Sequence, residues 1–450
     1  MKNTYLQNIR YSEVHFWDVK RYTNHLSLEF DNAVLLRDIL FPFRKSVTKK
    51  ELQKNGWSII SKINFHGELF LREKDEIQSY KGSLNLIPEN SIIYSKINVR
   101  HGCVYFHKKG QEPFAASSEY PTFTFDSEKV NGEFLKMVLR SEEFKKLLNT
   151  KTSGISKARV KVNEFLDIRI PLPSLVEQNR IVEAYDKKIK QAEELEKKAV
   201  ETENDIGKYI DNELGIEFTS EVKDIESTTF LKLISYSQFK KWGVDKQKIE
   251  KVQFNKNYET KRIIELCNVS SGGTPSRSRK EYYTGNIPWI KTTEVRNDVI
   301  YNTEEKITDD AIKNSSAKLY PKDSLIIAMY GQGATRGRTA KLGIEASTNQ
   351  ACAVLYNINN SIIDTDYLWI YLMNEYERLR ALASGNNQPN LNAQMIKNYE
   401  VVIPPFNIQQ KIKTIVHEMK VEIKKNKEKS TNVKQQALKD FENEIFMPCN

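Results

Sequence analysis

Along this 450-residue chain, short apolar runs alternate with Gly-rich turns, and each of two such stretches gives way to a long charged segment carrying an apolar stripe. The runs "SIIYSKI", "CVYF", "SLIIAMY" and "ACAVLY" predict strands, because short apolar runs bounded by turn residues suit a buried strand. The stretches "GEFLKMVLRSEEFKKLL" and "DTDYLWIYLMNEYERLRAL" predict helices. After "IPLPS" the residues Ile181, Tyr185, Ile189, Ala192, Leu195, Ala199, Ile206, Ile210 and Leu214 recur at steps built from threes and fours, the signature of one helix face. A second segment does the same with Ile412, Val416, Met419, Ile423, Ser430, Val433, Ala437, Phe441 and Ile445. Pro173 and Pro404 stand just before these segments, where a proline ring is tolerated. Each helix is expected to run about 37 residues, roughly 55 Å at ~1.5 Å per residue.

The two stretches also agree residue by residue, and a repeat changes the meaning of every motif inside it. "IRYSEVHFWDV" (9–19) aligns with "ISYSQFKKWGV" (234–244), pairing Ile9 with Ile234, Tyr11 with Tyr236, Ser12 with Ser237, Trp17 with Trp242 and Val19 with Val244. "IPENSIIYSKI" (87–97) matches "YPKDSLIIAMY" (320–330), with Pro88 over Pro321. "SGISKARVKVNEFLDIRIPLPSLVEQNRI" (153–181) lies without a gap on "SGNNQPNLNAQMIKNYEVVIPPFNIQQKI" (384–412), where Ser153/Ser384, Gly154/Gly385, Pro173/Pro404, Gln178/Gln409 and Ile181/Ile412 coincide. The expected fold class is α+β: two tandem globular domains separated by two long helices that pair as an antiparallel coiled coil, with a pseudo-two-fold internal repeat. The expected boundaries are 1–172 and 216–402 for the globular domains, and 173–215 and 403–450 for the helices. A striped helix cannot bury its stripe alone. A homodimeric coiled coil would satisfy it, but two tandem copies in one chain favour an internal pair.

Composition adds a partner class. Lys and Arg number 69 against 59 Asp and Glu, a net charge of +10, and aromatic residues make up 10%. That balance describes a folded basic protein whose charge favours a polyanion, provided the charge is suitably placed. No apolar run approaches the ~20 residues needed to span a bilayer, and "MKNTYLQNIRYSEVHFW" lacks the apolar core of a signal peptide, so a cytoplasmic location is expected. Cys103, Cys267, Cys352 and Cys449 are scattered and form no CxxC, which suggests reduced thiols.

One loop of the second copy and two pairs of loops carry the candidate chemistry. "SSGGTPSRSRKEYYTGNIPWIK" (270–291) interleaves Thr274, Ser276, Arg277, Ser278, Arg279 and Lys280 on a Gly/Pro loop and continues to Tyr283 and Lys291. Arginine can bond guanine in a bidentate manner, and a serine hydroxyl can donate to phosphate. Tyr282, Tyr283 and Trp289 suit a packed domain edge at least as well as a nucleic-acid contact. "YGQGATRGRTAK" (330–341) offers Gln332, Thr335, Arg336, Arg338 and Lys341 without the GxxxxGK[ST] order of a P-loop, so a polar loop for a DNA groove is the better reading. Its counterpart "SKINVRHG" (95–102) offers Lys96, Asn98, Arg100 and His101. The second pair places Asn386, Asn387 and Gln388 in one copy and Lys157 and Arg159 in the other. The amides suit either adenine reading or turn capping.

Other signals point away from chemistry in this chain. "HGCVYFH" spaces His101, Cys103 and His107 evenly, as ligands on one strand face would be, but a fourth ligand is missing and the other copy has no equivalent, so no metal is expected. "IPPF" (403–406) resembles a methyltransferase tetrapeptide, yet Ile403 stands where a polar side chain is needed and no Gly-rich cofactor loop precedes it. "KKNKEK" (424–429) reads as a solvated helix face.

"GGTPSRSRKEYYTGNIPWIK", "SLIIAMYGQGATRG", "SGNNQPNLNAQMIKNYEVVIPP" and "PLPSLVEQNRI" resemble the recurring segments of type I restriction-modification specificity subunits, in the same order over almost the whole chain. The resemblance implies two target-recognition domains, each reading one half of an interrupted sequence in double-stranded DNA, with the two helices as spacer and ruler. It implies docking of two modification (methyltransferase) subunits, which bind S-adenosylmethionine, and of restriction subunits that use ATP and Mg2+. No cofactor and no catalytic residue is expected in this chain. The recognition subunit of a type IIB-like enzyme is the nearest alternative, and a coiled-coil scaffold joining two protein-binding domains is a more distant one. The first domain departs from the pattern: it lacks a G-x-T-P…P-W element, and "NGWSII" (55–60) is only an echo of it. In the second helix Ile408 stands where the first has Glu177.

Overall fold

The computed structural model describes residues 33–151, 159–219, 251–254, 258–331, 333–383 and 390–446. The segments around Trp17 and Trp242, the Ser-Gly loops through Lys157 and through Asn386, Asn387 and Gln388, Gln332, and Cys449 lie outside the described residues. Two compact units divide the chain: residues 1–195 with 428–450, and residues 196–427. Among the described residues no helix is long and apolar enough to cross a membrane.

The predicted strands form in both units, and they meet in the same order. In the first unit the four-stranded sheet runs Phe41–Phe43, Thr122–Thr124, Ser91–Tyr94, Val104–His107. In the second the sheet begins Asn268–Ser271, Cys352–Tyr356, Leu325–Ala328, Thr339–Leu342, and a fifth strand, Val299–Ile300, joins its end in parallel. The fully buried runs "SIIY" and "LIIA" are the inner strands of the two sheets, which is why they are apolar throughout instead of alternating. The turn leading into each has the same backbone form. Asn90 (φ 55°) and Asp323 (φ 67°) take the left-handed conformation that these side chains tolerate better than most. The next residue then donates its hydroxyl to a proline carbonyl, Ser91 to Pro88 at 2.6 Å and Ser324 to Pro321 at 2.7 Å.

A second shared feature brackets each domain. The strand Ala33–Leu35 pairs antiparallel with Arg169–Pro171, and Glu259–Arg262 pairs antiparallel with Glu400–Ile403. Chain entry and exit are thus tied together before each long helix starts. The helices run Leu175–Leu214 and Phe406–Phe446, 40 and 41 residues, slightly beyond the length expected from the stripe. Within the first unit Arg180 pairs with Glu444 and Lys188 with Asp440. Within the second, Glu203 pairs with Lys427 at 3.4 Å and Glu213 with Lys411 at 2.8 Å. Rising numbers on one helix against falling numbers on the other make the pairing antiparallel in each unit.

The stripe read from sequence is the buried face: Ile181, Ala192, Ala199, Ile210 and Leu214 on one helix, and Ile412, Val416, Ile423, Ala437, Phe441 and Ile445 on the other. Asn426 and Ser430 are also buried, so the "KKNKEK" run is solvated on its lysines but not on Asn426. Polar residues in a helical seam cost stability and favour one register over others.

Each predicted domain helix is broken once, into Gly132–Arg140 and Glu142–Lys151, and into Thr365–Asn374 and Tyr376–Leu382. At the first break Ser141 is buried and extended, donating to the Val138 carbonyl at 2.7 Å. At the second break stands Glu375, almost fully buried.

Candidate nucleic-acid interface

What orients each domain on its helix is a buried glutamine. Gln178 accepts from the Asn131 N–H at 2.8 Å and donates to the carbonyls of Lys129 and Pro173 at 2.9 and 2.8 Å. Gln409 accepts from the Asp364 N–H at 2.8 Å and donates to the carbonyls of Ile362 and Pro404 at 3.3 and 2.9 Å. Asn131 and Asp364 are in turn the N-caps of Gly132–Arg140 and Thr365–Asn374. One amide therefore joins the first turn of a long helix to the cap of a domain helix, once in each copy. A buried amide with all its partners met is geometrically exacting, because any displacement leaves several polar groups unpaired.

The Gly/Pro loop of the second domain is less open than its sequence suggests. A Cβ on Gly272 would lie 2.1 Å from Thr348 Oγ1 and one on Gly273 would lie 2.2 Å from the Ala317 nitrogen, so both glycines are there for close packing. Trp289 is buried and its indole N–H donates to the Gly273 carbonyl at 3.0 Å. Tyr282 is buried with it, and Tyr283 sits edge-on to Trp289 and donates to the Pro275 carbonyl at 2.6 Å. The aromatic residues form the packed edge of the domain.

On that aromatic floor lies Arg277, 4.2 Å above the Tyr283 ring and 4.9 Å from that of Trp289, with Nη1 donating to Glu305 Oε2 at 2.5 Å. Lys291 reaches Glu304 at 2.8 Å and Glu305 at 3.1 Å. The Arg277 guanidinium, and then Lys291, hold the Glu305 carboxyl below its ordinary value, and Glu305 raises Arg277 in return. Arg279 donates to the Tyr282 hydroxyl at 2.7 Å. Ser276 and Ser278 bond to each other at 2.8 Å, Thr274 accepts weakly from the Gln350 N–H at 3.4 Å, and Lys280 is exposed. The loop thus presents a basic rim in which Arg277 and Lys291 are already anchored. Glu305 carried no signal in the sequence, since it stands 28 positions from Arg277.

The second Gly-rich loop is braced from beneath. Arg380 donates to the Gly333 carbonyl at 2.9 Å and lies over the Tyr376 ring, while the Tyr376 hydroxyl donates to the Ala334 carbonyl at 2.7 Å. Gly337 (φ 86°) closes the loop in the left-handed region. Thr335, Arg336 and Arg338 are all partly buried on this braced turn. Lys341 is committed to Asp366 and Asp323, at 2.7 and 3.2 Å.

The first domain repeats the device with other residues. Lys96, Asn98 and Arg100 lie on the tight turn that ends at Gly102 (φ 81°), and Arg140 donates to the Gly102 carbonyl at 3.1 Å. Arg100 Nε is buried without a hydrogen-bond partner among the described residues. Arg159 pairs with Glu119 at 3.3 Å. Arg140, Tyr376 and Arg380 were not legible as site residues, because a helical arginine announces nothing about the loop it supports.

The histidine–cysteine cluster does not share one strand. His101 belongs to the turn and only His107 to the strand, where its ring nitrogens lie 2.8 and 3.1 Å from the Pro88 and Glu112 carbonyls. Among the described residues no group of three or more metal-ligating side chains is assembled, and Cys103, Cys267 and Cys352 are free and buried. In "NGWSII" Trp57 follows a helix cap at Gly56 and precedes the strand Ile60–Ile63, whereas Trp289 sits within Ile287–Ile290.

Two braced, glycine-closed turns on twin mixed domains, each fixed to a long helix, define a class of paired modules that differ in surface and share a frame. The family model of the type I restriction modification DNA specificity domain matches residues 38–202 and 255–435, once on each copy, and the chain belongs to that family. It is 28% identical over 210 residues to the type I restriction enzyme MjaIX specificity subunit of Methanocaldococcus jannaschii, covering 45% of this chain and 47% of that one. It is 29% identical over 164 residues to the HindI specificity subunit of Haemophilus influenzae, covering 34% and 33%. These matches span half or less of each relative's length. A chain solved in work on complex assembly and conformational transition of the type I R-M system shares the fold, with TM-score 0.59 at 16% identity over 91% of this chain and 96% of that one.

Proposed function

We propose that this chain is the DNA-sequence specificity subunit of a type I restriction-modification system. Each domain reads one half-site of an interrupted duplex target, and the chain docks methyltransferase subunits. The observation that carries this reading is the family match falling separately on both copies of the internal repeat. The net charge of +10 and the basic turns around Arg100, Arg279, Lys280 and Arg338 suit a phosphate backbone. Catalysis belongs to the partners, which supply S-adenosylmethionine chemistry and, with restriction subunits, ATP-driven steps. The chain itself contributes recognition.

The test is to express the chain with its native modification partner in a methylation-free host and sequence the genome for modified bases. An interrupted motif is expected. A soluble partner that binds S-adenosylmethionine yet leaves no motif would contradict the reading.

A further inference from the structure

The strongest unassigned feature of the first unit is an exposed aromatic tip. The hairpin Ile60–Ile63/Leu69–Leu71 turns at residues 64–68, and Phe65 stands on that turn 59% exposed. The turn is rigid. Asn64 Oδ1 accepts from the N–H groups of His66 and Glu68, both at 2.9 Å, and the Asn64 amide donates to Glu68 at 2.6 Å. Arg140 then staples it to the neighbouring turn: its guanidinium lies where a Cβ on Gly67 would be, 2.7 Å from Cζ, and its Nε donates to the Gly102 carbonyl. The result sets Phe65 against His101, ring centroids 5.2 Å apart and inclined by 46°.

A large apolar ring exposed on such a turn, against His101, the chain neighbour of Arg100, whose Nε has no hydrogen-bond partner among the described residues, is an unusual use of a hairpin tip. Glu68 on the same turn keeps its charge while accepting from the neutral Asn64 amide, and Glu142 is paired with Lys145. Lys62, over the Phe70 ring at 4.9 Å, adds a cation along the hairpin. An exposed apolar ring on a turn stapled by Arg140, beside the turn that carries Arg100 and His101, matches a base step with its neighbouring phosphate. Phenylalanine reaches DNA bases either by contacting a thymine methyl or by wedging a step.

Resting on the specificity reading above, we propose that Phe65 is a base-contacting residue of the first domain. It enters the duplex alongside the Lys96–His101 turn, with Arg100 directed at the adjacent phosphate. It thereby takes the part that no G-x-T-P…P-W element fills in this copy.

The experiment is selection of the full chain on a duplex library with a randomised core, comparing wild type, Phe65→Leu and Phe65→Ala. Wild type should enrich two half-sites at a fixed gap. Phe65→Ala should lose preference at one or two adjacent positions of a single half-site, bind the wild-type consensus about tenfold more weakly, and melt at an unchanged temperature. Phe65→Leu should fall between. An unchanged consensus bound within twofold would overturn the contact while leaving the specificity reading intact. Equal weakening on every duplex would also overturn it, reducing Phe65 to a non-reading role. If wild type enriches no sequence, the proposal falls together with the reading on which it rests.

Discussion

The two copies agree where they hold themselves together and differ where they face outward. Both use a proline-to-serine turn into an inner strand, a glycine-closed loop braced by an arginine, and a buried glutamine on the capped domain helix. Among the described residues their outer surfaces share little. The second domain offers a charge-paired loop on an aromatic floor, Arg277 and Lys291 around Glu305, while the first offers a hairpin tip with Phe65 exposed. The helix joints differ too. In the first unit Phe441 packs edge-on against Phe134 and Tyr185. In the second the apolar joint of Ile210, Leu214, Ile412 and Val416 carries polar contacts beside it, with Asp211 accepting from Asn374 at 2.9 Å and Glu375 meeting Tyr399 and Arg378. A frame that is repeated and a surface that is not is what a protein needs if two domains must be held alike and read differently.

The largest expected effect probes the shared frame. Gln178→Met or Gln409→Met keeps the volume but strands an N–H and two carbonyls, and each should cost about 3 kcal/mol in its own unit, read by denaturant unfolding followed by hydrogen exchange. Unequal costs would break the equivalence of the two joints. Next come the loop closures. Gly337→Ala should cost about 2 kcal/mol, since a left-handed alanine is disfavoured and its Cβ would lie 2.9 Å from Arg380 Cγ; Gly333→Ala, with open space around it, should cost about half as much. Equal costs would mean that Arg380 does not brace the turn.

On the differing surfaces smaller effects are expected. Arg277→Ala should weaken one half-site by about 1 kcal/mol, at the low end for a base contact, because the guanidinium must leave Glu305 to reach DNA. Weakening of every sequence alike would make it a phosphate contact. The smallest effect is a difference in sign with pH. Burial in the second joint raises the Glu375 carboxyl above its ordinary value. Its charge therefore costs stability as pH rises from the ordinary carboxylate range through that raised value, and Glu375→Gln should gain on wild type over that rise. Burial also acts on Glu133 in the first unit, but Lys108 and Lys136 outweigh it and hold that carboxyl below its ordinary value. Glu133 thus contributes stability that is lost as pH falls, and the penalty of Glu133→Gln should shrink on acidification. Melting curves of the two variants across pH decide whether the slopes oppose.

Sequence made the frame legible because periodicity and repetition are local or nearly so. The helix stripes became the buried faces, and the quoted strands formed the sheets. Gln178 and Gln409 were visible as a coincidence of two copies, though not as clamps. The site was legible only in part. Arg277 was visible, but the Glu305 that holds it was not, because long-range pairing leaves no periodic trace. Phe65 was missed for the opposite reason: an apolar residue between polar neighbours reads as ordinary until its exposure is known.

The most direct test of the central claim is an exchange. The second reading domain is replaced by that of a relative with another target, and the modified motif is mapped in a methylation-free host. One half of the motif should change while the other half and the gap stay fixed. If both halves change, or neither does, the assignment of one half-site to each copy is wrong.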